Sequence, residues 1–107
     1  MRPEITPEQA FAKALREVRN ERGVSQEDLA FESGYHRTYV GLLERAKMNP
    51  SLRTILALAA VLETPAAEIV RRVEGHLGKP WRPEKEERGR PKRKRAQGPA
   101  VPARKKP

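Results

Sequence analysis

The sequence predicts an all-α protein, with a compact head of five short helices over residues 5–78 and a disordered basic arm over residues 79–107. Three observations support this prediction. Apolar residues in the head recur at steps of three and four, which is the spacing of one helix face. Capping residues, prolines and glycines divide that pattern at short intervals. No segment alternates polar and apolar residues as a half-buried strand would.

Electric charge divides the chain into the same two parts. Residues 1–78 hold 11 basic and 11 acidic side chains, whereas residues 79–107 hold 12 basic and three acidic ones and six of the ten prolines. The net charge of +9 therefore belongs to the arm, which has too few apolar residues to form a core of its own. A segment this basic favours polyanionic partners, nucleic acid ahead of an acidic membrane.

Several kinds of site are not expected. The chain has no cysteine and two isolated histidines, so the sequence predicts no disulfide, no metal site and no cofactor. It contains no histidine paired by spacing with a carboxylate and no glycine-rich phosphate loop, so neither catalysis nor a small-molecule substrate is expected. The longest apolar run, residues 55–62, has eight residues, where a membrane span needs about 20. We therefore expect a cytoplasmic protein with no membrane partner.

The first helix is predicted to begin after Thr6. Threonine followed by proline and, at the third helical position, Gln9 is a capping-box pattern. Gly23 provides a left-handed end. The apolar face consists of Phe11, Ala14, Leu15 and Val18.

Two shorter helices follow. Ser25 is a capping residue for a second helix over residues 26–32, which ends before Gly34. A third helix is predicted over residues 37–45, with Val40 and Leu43 facing the core. The residues expected on its outer side are Arg37, Thr38, Tyr39, Gly41 and Arg45.

The last two helices are predicted from capping residues and apolar stripes. Ser51 caps a fourth helix, whose stripe consists of Leu52, Ile55, Leu58, Ala59 and Leu62. Thr64 and Pro65 begin a fifth, which ends at Gly75 or Gly78. Its apolar residues, at steps of four, are Ile69, Val73 and Leu77. The stripe continues past the residue needed to close the core, so we expect these three residues at a homodimer interface.

The second and third helices, with the turn at Gly34, have the layout of a helix-turn-helix. The matching segments are Gly23-Val24-Ser25-Gln26-Glu27-Asp28-Leu29-Ala30, Ser33-Gly34-Tyr35, Glu44-Arg45 and Asn49-Pro50-Ser51-Leu52. With these segments, residues 10–72 resemble the lambda-repressor and Cro-like (XRE) family. Residues 35–45 are most similar to the controller proteins of restriction-modification systems. The resemblance implies a dimeric, nucleoid-associated transcription regulator or repressor that binds double-stranded DNA.

The resemblance also implies roles for individual residues. Arg37 is the candidate reader of guanine, and Gln26, at a helix N-terminus, is expected to hold a phosphate. The other expected contacts with base edges or the DNA backbone are Thr38, Tyr39, Gly41, Arg45, Lys47 and Asn49. His36 occupies a frequent capping position and is expected to make a structural or phosphate contact. An ordinary exposed arginine remains the alternative for Arg37, and a packing role the alternative for Tyr39.

Three further positions matter for the geometry. Arg19 and Glu44 match positions that pair in relatives, and we expect this pair to be architectural. Ala46 stands where the family usually has glycine, so a left-handed turn there costs about 1 kcal/mol or moves to a neighbour. Leu42 is expected to face outward, where it either touches a thymine methyl or covers a neighbouring side chain.

The arm contains a segment that resembles an AT-hook, a short arm that lies in the minor groove of A·T-rich DNA. Its residues are Arg88, Gly89, Arg90, Pro91, Lys92, Arg93, Lys94 and Arg95. A nonspecific phosphate-binding arm and a solubilising tail are the alternatives. Trp81 is expected to fold back on the fifth helix.

Two other functions remain open at this point. An antitoxin of a toxin–antitoxin pair can use the same head, and a toxin-binding segment would distinguish it. An RNA- or protein-binding adaptor would use the head as a scaffold and the arm for RNA. Strong discrimination among duplex DNA sequences at raised salt would exclude the adaptor.

Overall fold

The computed structural model describes residues 5–83, so the AT-hook-like residues 88–95 lie outside the described part. The described chain is an all-α bundle without strands, as the sequence predicts. Its helices are α1 (Pro7–Arg22), α2 (Gln26–Ser33), α3 (Arg37–Glu44), α4 (Leu52–Val61) and α5 (Ala66–Leu77).

Local capping sets the helix boundaries. The Thr6 hydroxyl accepts a hydrogen bond from the Gln9 backbone N–H at 3.1 Å, and the Gln9 side chain accepts one from the Thr6 N–H at 2.9 Å. This is the predicted capping box. The hydroxyls of Ser25 and Ser51 cap α2 and α4 by accepting a hydrogen bond from the backbone N–H three residues on, without the return bond of a capping box. Of the two predicted ends for α5, the chain uses Gly78, whose φ is +81°.

The core is formed by residues of all five helices. The fully buried large side chains are Leu15, Val18, Leu29, Val40, Leu43, Leu58, Leu62 and Ile69. Leu52 was expected in this core, but it is 71% exposed. At about 100° per residue, Leu52 lies on the Leu56 side of α4, at the edge of the arc that Leu58 and Leu62 bury.

The placement of α5 corrects part of the expected dimer interface. Ile69 is completely buried in the core of its own chain, and Val73 packs partly buried against the same core. Leu77 is half-buried. The reason is that α5 packs along the 16-residue α1. This contact covers part of the apolar stripe of α5, for which the sequence alone shows no partner. Trp81, expected to fold back on α5, stays 53% exposed.

Ion pairs reinforce the contact between α1 and α5. The Arg72 guanidinium donates two hydrogen bonds to the Glu21 carboxylate on α1, at 2.8 and 2.9 Å. It also donates to Glu68 on its own helix at 2.8 Å, and Arg71 donates two more hydrogen bonds to Glu68. These hydrogen bonds from Arg71 and Arg72 lower the pKa of Glu68 to about 2. The carboxylate therefore stays ionised in the folded state well below its usual range.

Glu68 is expected to contribute to acid unfolding. Its pKa falls from 4.5 to about 2 on folding, so its stabilising effect is present above the unfolded value and is lost as pH falls towards the folded value. Glu68→Gln should reduce the fall in the thermal midpoint between pH 4.5 and pH 2, measured by circular dichroism. Glu74→Gln is the control, because the exposed Glu74 side chain makes no hydrogen bond or ion pair within residues 5–83. Equal pH slopes for Glu68→Gln and wild type would contradict this expectation.

Candidate nucleic-acid interface

α2 and α3 form the helix-turn-helix through a tight turn. Gly34 has a φ of +83°, a left-handed conformation that glycine adopts without strain. The backbone N–H of Tyr35 donates to the carbonyl of Ala30 at 2.9 Å, which closes the end of α2. His36 then caps α3, because its Nδ1 accepts a hydrogen bond from the Thr38 N–H at 3.0 Å. This structural role is one of the two expected for His36.

The buried carboxylate of Glu44 connects α1, α2 and α3 on the inner side of the helix-turn-helix. Glu44, at the end of α3, is only 2% exposed. It accepts hydrogen bonds from Arg19 Nε at 2.6 Å, Arg19 Nη2 at 3.0 Å and Gln26 Nε2 at 2.9 Å. Arg16 donates to the backbone carbonyl of Glu44. The expected architectural pair of Arg19 and Glu44 is therefore confirmed, and it includes α2 through Gln26.

Gln26 has a fixed orientation as a result. It lies at the first position of α2, directly after the cap Ser25, and is half-buried. One N–H of its amide is directed at Glu44, and a glutamine amide carries a second N–H donor. The side chain is thus held at the helix N-terminus with one donor still available for the phosphate contact expected from the sequence.

The outer side of α3 is open at some positions and covered at others. Arg37 and Thr38 are exposed, as expected. Tyr39 is half-buried, with its ring centroid 5.1 Å from that of Tyr35. Gly41 was expected outside but is buried. A side chain covers it, since a Cβ at this position would lie 3.1 Å from Nη1 of Arg45.

A hydroxyl cluster that sequence reasoning missed supports Tyr39. Thr54 on α4 is 4% exposed, and its Oγ1 lies 3.1 Å from the hydroxyl of Tyr35 and 3.2 Å from that of Tyr39. Ser51 donates to the same Oγ1 at 3.1 Å. The contact between Ser51 and Thr54 could be predicted from the cap pattern at Ser51. The contacts of Thr54 with the two tyrosines depend on how α4 packs. Thr54 holds the Tyr39 hydroxyl at the edge of α3.

The loop after α3 contains the left-handed residue that the sequence expects. Ala46 has a φ of +60°. Its N–H donates to Leu43 at 3.2 Å and the Lys47 N–H donates to Leu42 at 2.9 Å, which is a Schellman motif. The turn therefore stays at Ala46, with its backbone strain, and Leu42 is half-buried beside it.

The expected phosphate-binding residues of this loop are not equivalent. Arg45 and Lys47 are exposed. Asn49 is also exposed, but its amide donates to the Glu8 carboxylate on α1 at 3.0 Å. That hydrogen bond occupies one N–H of the Asn49 amide, and the second N–H remains available to a phosphate. Glu63, after α4, is a second non-glycine residue with positive φ, at +52°, which sequence reasoning missed.

Two further features are absent from residues 5–83. No helix there is long and apolar enough to cross a membrane. That part of the chain also contains no group of acidic and histidine side chains placed to hold a metal ion.

Ala46→Gly is expected to stabilise the protein by about 0.5–1 kcal/mol, because relief of the left-handed strain exceeds the added entropy of the unfolded glycine. Urea unfolding should show a higher midpoint with an unchanged slope. Ala60→Gly, an exposed position inside α4, is the control and should destabilise by about 1 kcal/mol. A loss of stability in both variants would show that Ala46 is not strained.

Comparisons with known proteins agree with this geometry. Residues 15–69 match the helix-turn-helix family. Control protein C.SmaI of Serratia marcescens is 42% identical over 62 residues, which cover 58% of this chain and 74% of that protein. The restriction-modification controller protein C.AhdI of Aeromonas hydrophila is 47% identical with a TM-score of 0.56, covering 58% and 94% of the two chains. Controller protein C.Esp1396I, solved as a tetramer with its natural 35 base-pair operator, is 25% identical with a TM-score of 0.64, covering 71% and 100%. The chain therefore belongs to the helix-turn-helix family of DNA-binding transcriptional regulators.

Proposed function

We propose that the chain regulates transcription in the cytoplasm by binding an operator in double-stranded DNA, with α3 in the major groove. The observation that carries this proposal is the contrast between the two sides of α3. Its inner side is fixed by the buried Glu44, while Arg37 and Thr38 stand exposed on the outer side. The residues proposed to contact DNA are Gln26, His36, Arg37, Thr38, Tyr39, Gly41, Arg45, Lys47 and Asn49.

Arg37 is proposed as the residue that reads a base. Its side chain is 63% exposed, and a guanidinium offers a fork of donors that matches O6 and N7 of guanine. Lys47 is also exposed, but a lysine on a phosphate carries no sequence information. Gly41 is buried and Tyr39 is half-buried. We propose that Gly41 approaches the DNA with a backbone atom and Tyr39 with its hydroxyl.

Replacement of Arg37 tests this assignment. Arg37→Ala should cost about 1–3 kcal/mol at the best site and remove the preference at one position in each half-site. Selection of bound duplexes from a random library, followed by titration, measures both quantities. Lys47→Ala is the control, and it should weaken all sites alike and reduce the salt slope by about 1. A uniform loss with an unchanged preference in Arg37→Ala would remove α3 as the reader.

Two copies are proposed to bind a site with two-fold symmetry. The exposed apolar residues Leu52 and Leu56 line a groove on α4 with Arg53 and Ala57, and such a patch needs cover in water. We place the dimer contact at this groove and at the partly exposed Val73 and Leu77 of α5, with half-sites about 10–10.5 base pairs apart. Leu56→Glu should give a monomer in sedimentation, whereas Phe31→Glu, at an 83% exposed residue of α2, should remain dimeric. A dimeric Leu56→Glu would contradict this interface.

The basic arm, residues 79–107, is proposed to add affinity from the DNA backbone or minor groove. The head carries no net charge and the arm holds all of it, so removing the arm should lower affinity more than specificity. Each neutralised phosphate contributes a slope of about −0.9 in log affinity against log salt.

Truncation after Gly78 tests the arm. If the arm makes four or five phosphate contacts, the salt slope should become shallower by about 4, while the sequence preference of α3 remains. Arg90→Ala in the full chain is the matched variant, since it removes one charge and tests the AT-hook interpretation through loss of a preference for A·T-rich flanks. An unchanged affinity and salt slope after truncation would make the arm a solvated tail.

A further inference from the structure

We propose that Glu27 on α2 is a positioning residue for base recognition, which holds the Arg37 guanidinium in the orientation that pairs with guanine. The inference rests on the proposed role of Arg37 as reader and adds a second residue that determines specificity. The juxtaposition that carries it is an ion pair across the helix-turn-helix, with Arg37 Nη1 3.3 Å from Glu27 Oε2.

The contact joins the first turns of the two helices. Glu27 is the second residue of α2 and Arg37 the first residue of α3. Both side chains are largely exposed, at 67% and 63%. Arg37 makes no other hydrogen bond or ion pair within residues 5–83, so Glu27 is the one described side chain that pairs with this guanidinium.

The geometry leaves a reading edge free. Glu27 contacts Nη1, and the Nε and Nη2 donors form the other edge of the planar fork. That edge can make the bidentate pair with O6 and N7 of guanine. An arginine without a partner must be ordered when it binds, which weakens the complex. Glu27 restricts the side chain before the DNA arrives.

Stability does not explain the pair. Exposed ion pairs change a folding equilibrium by no more than about fivefold. A carboxylate beside DNA is also repelled by phosphates, so Glu27 weakens binding to every duplex. Glu27 therefore does not increase general affinity for DNA. The effect that its contact with Arg37 can have is to orient the Arg37 guanidinium.

Asp28 provides a matched comparison. It is also an exposed acidic residue in the first turn of α2, so it shares the favourable interaction with the helix N-terminus. The Asp28 side chain makes no ion pair within residues 5–83. An effect of charge or of the helix dipole should therefore appear equally in variants of Glu27 and Asp28, whereas an effect on Arg37 should appear in Glu27 variants alone.

The experiment measures binding of the full chain to two duplexes that differ only at the guanine lost from the preference in Arg37→Ala, and to a duplex of random sequence. Glu27→Gln should lower the guanine preference about two- to fivefold and raise the affinity for the random duplex. Asp28→Asn should raise that affinity with the preference unchanged. Glu27→Asp keeps the charge but is one methylene too short, so it should lower the preference alone.

Several results would overturn the proposal. A wild-type preference in both Glu27→Gln and Glu27→Asp would show that Arg37 needs no partner. Additive losses in the double variant Glu27→Gln with Arg37→Ala would show that Glu27 acts on the DNA directly. If Arg37→Ala itself keeps the full sequence preference, the reader in the proposed function is wrong and this inference fails with it. If only the Glu27 variants behave as wild type, the proposed function stands.

Discussion

The arrangement of the recognition surface depends on the buried carboxylate of Glu44. A carboxylate removed from water is unfavourable unless donors surround it, and here Arg19 and Gln26 provide three hydrogen bonds on its two oxygens. Those donors come from α1 and α2, while Glu44 itself ends α3. Each of α1, α2 and α3 therefore contributes one member of this polar cluster. The hydrogen bonds of the cluster form together only when the three helices are in this arrangement.

The outer side of the helix-turn-helix follows from that constraint. With Gln26 held by Glu44, the first turn of α2 lies against α3, and Gly41 is covered by Arg45 at the same junction. A Cβ at Gly41 would lie 3.1 Å from Nη1 of Arg45, so a larger residue there would displace the Arg45 guanidinium by a few tenths of an ångström. Residues without inward partners, such as Lys47, are the ones proposed to meet the DNA. In the proposed function, affinity comes from charges at the edge of the head and in the arm, and specificity from a few side chains of α3.

The features predicted from the sequence are those that depend on local interactions. The starts of α1, α2 and α4 follow from caps within three residues, and the left-handed Ala46 follows from the position where a glycine is usual. The errors concern cover by distant helices. Leu52 belongs to the apolar stripe in sequence but lies on the exposed side of α4, whereas Ile69 is buried once α5 packs along α1. The contacts of Thr54 with two tyrosines could not be predicted, since α4 must pack against α3 and the turn before it to form them.

A double-mutant cycle on Arg19 and Glu44 tests the central claim most directly. The free energy of unfolding in urea is measured for Arg19→Met, Glu44→Gln, the double variant and wild type. Each single change leaves a buried or partly buried charge without its partner, so each should cost about 3–5 kcal/mol. The double variant should be more stable than the sum of the two losses allows, with a coupling energy of about 2–3 kcal/mol. Additive losses would contradict the account, because Glu44 would then not depend on Arg19 to hold the three helices together.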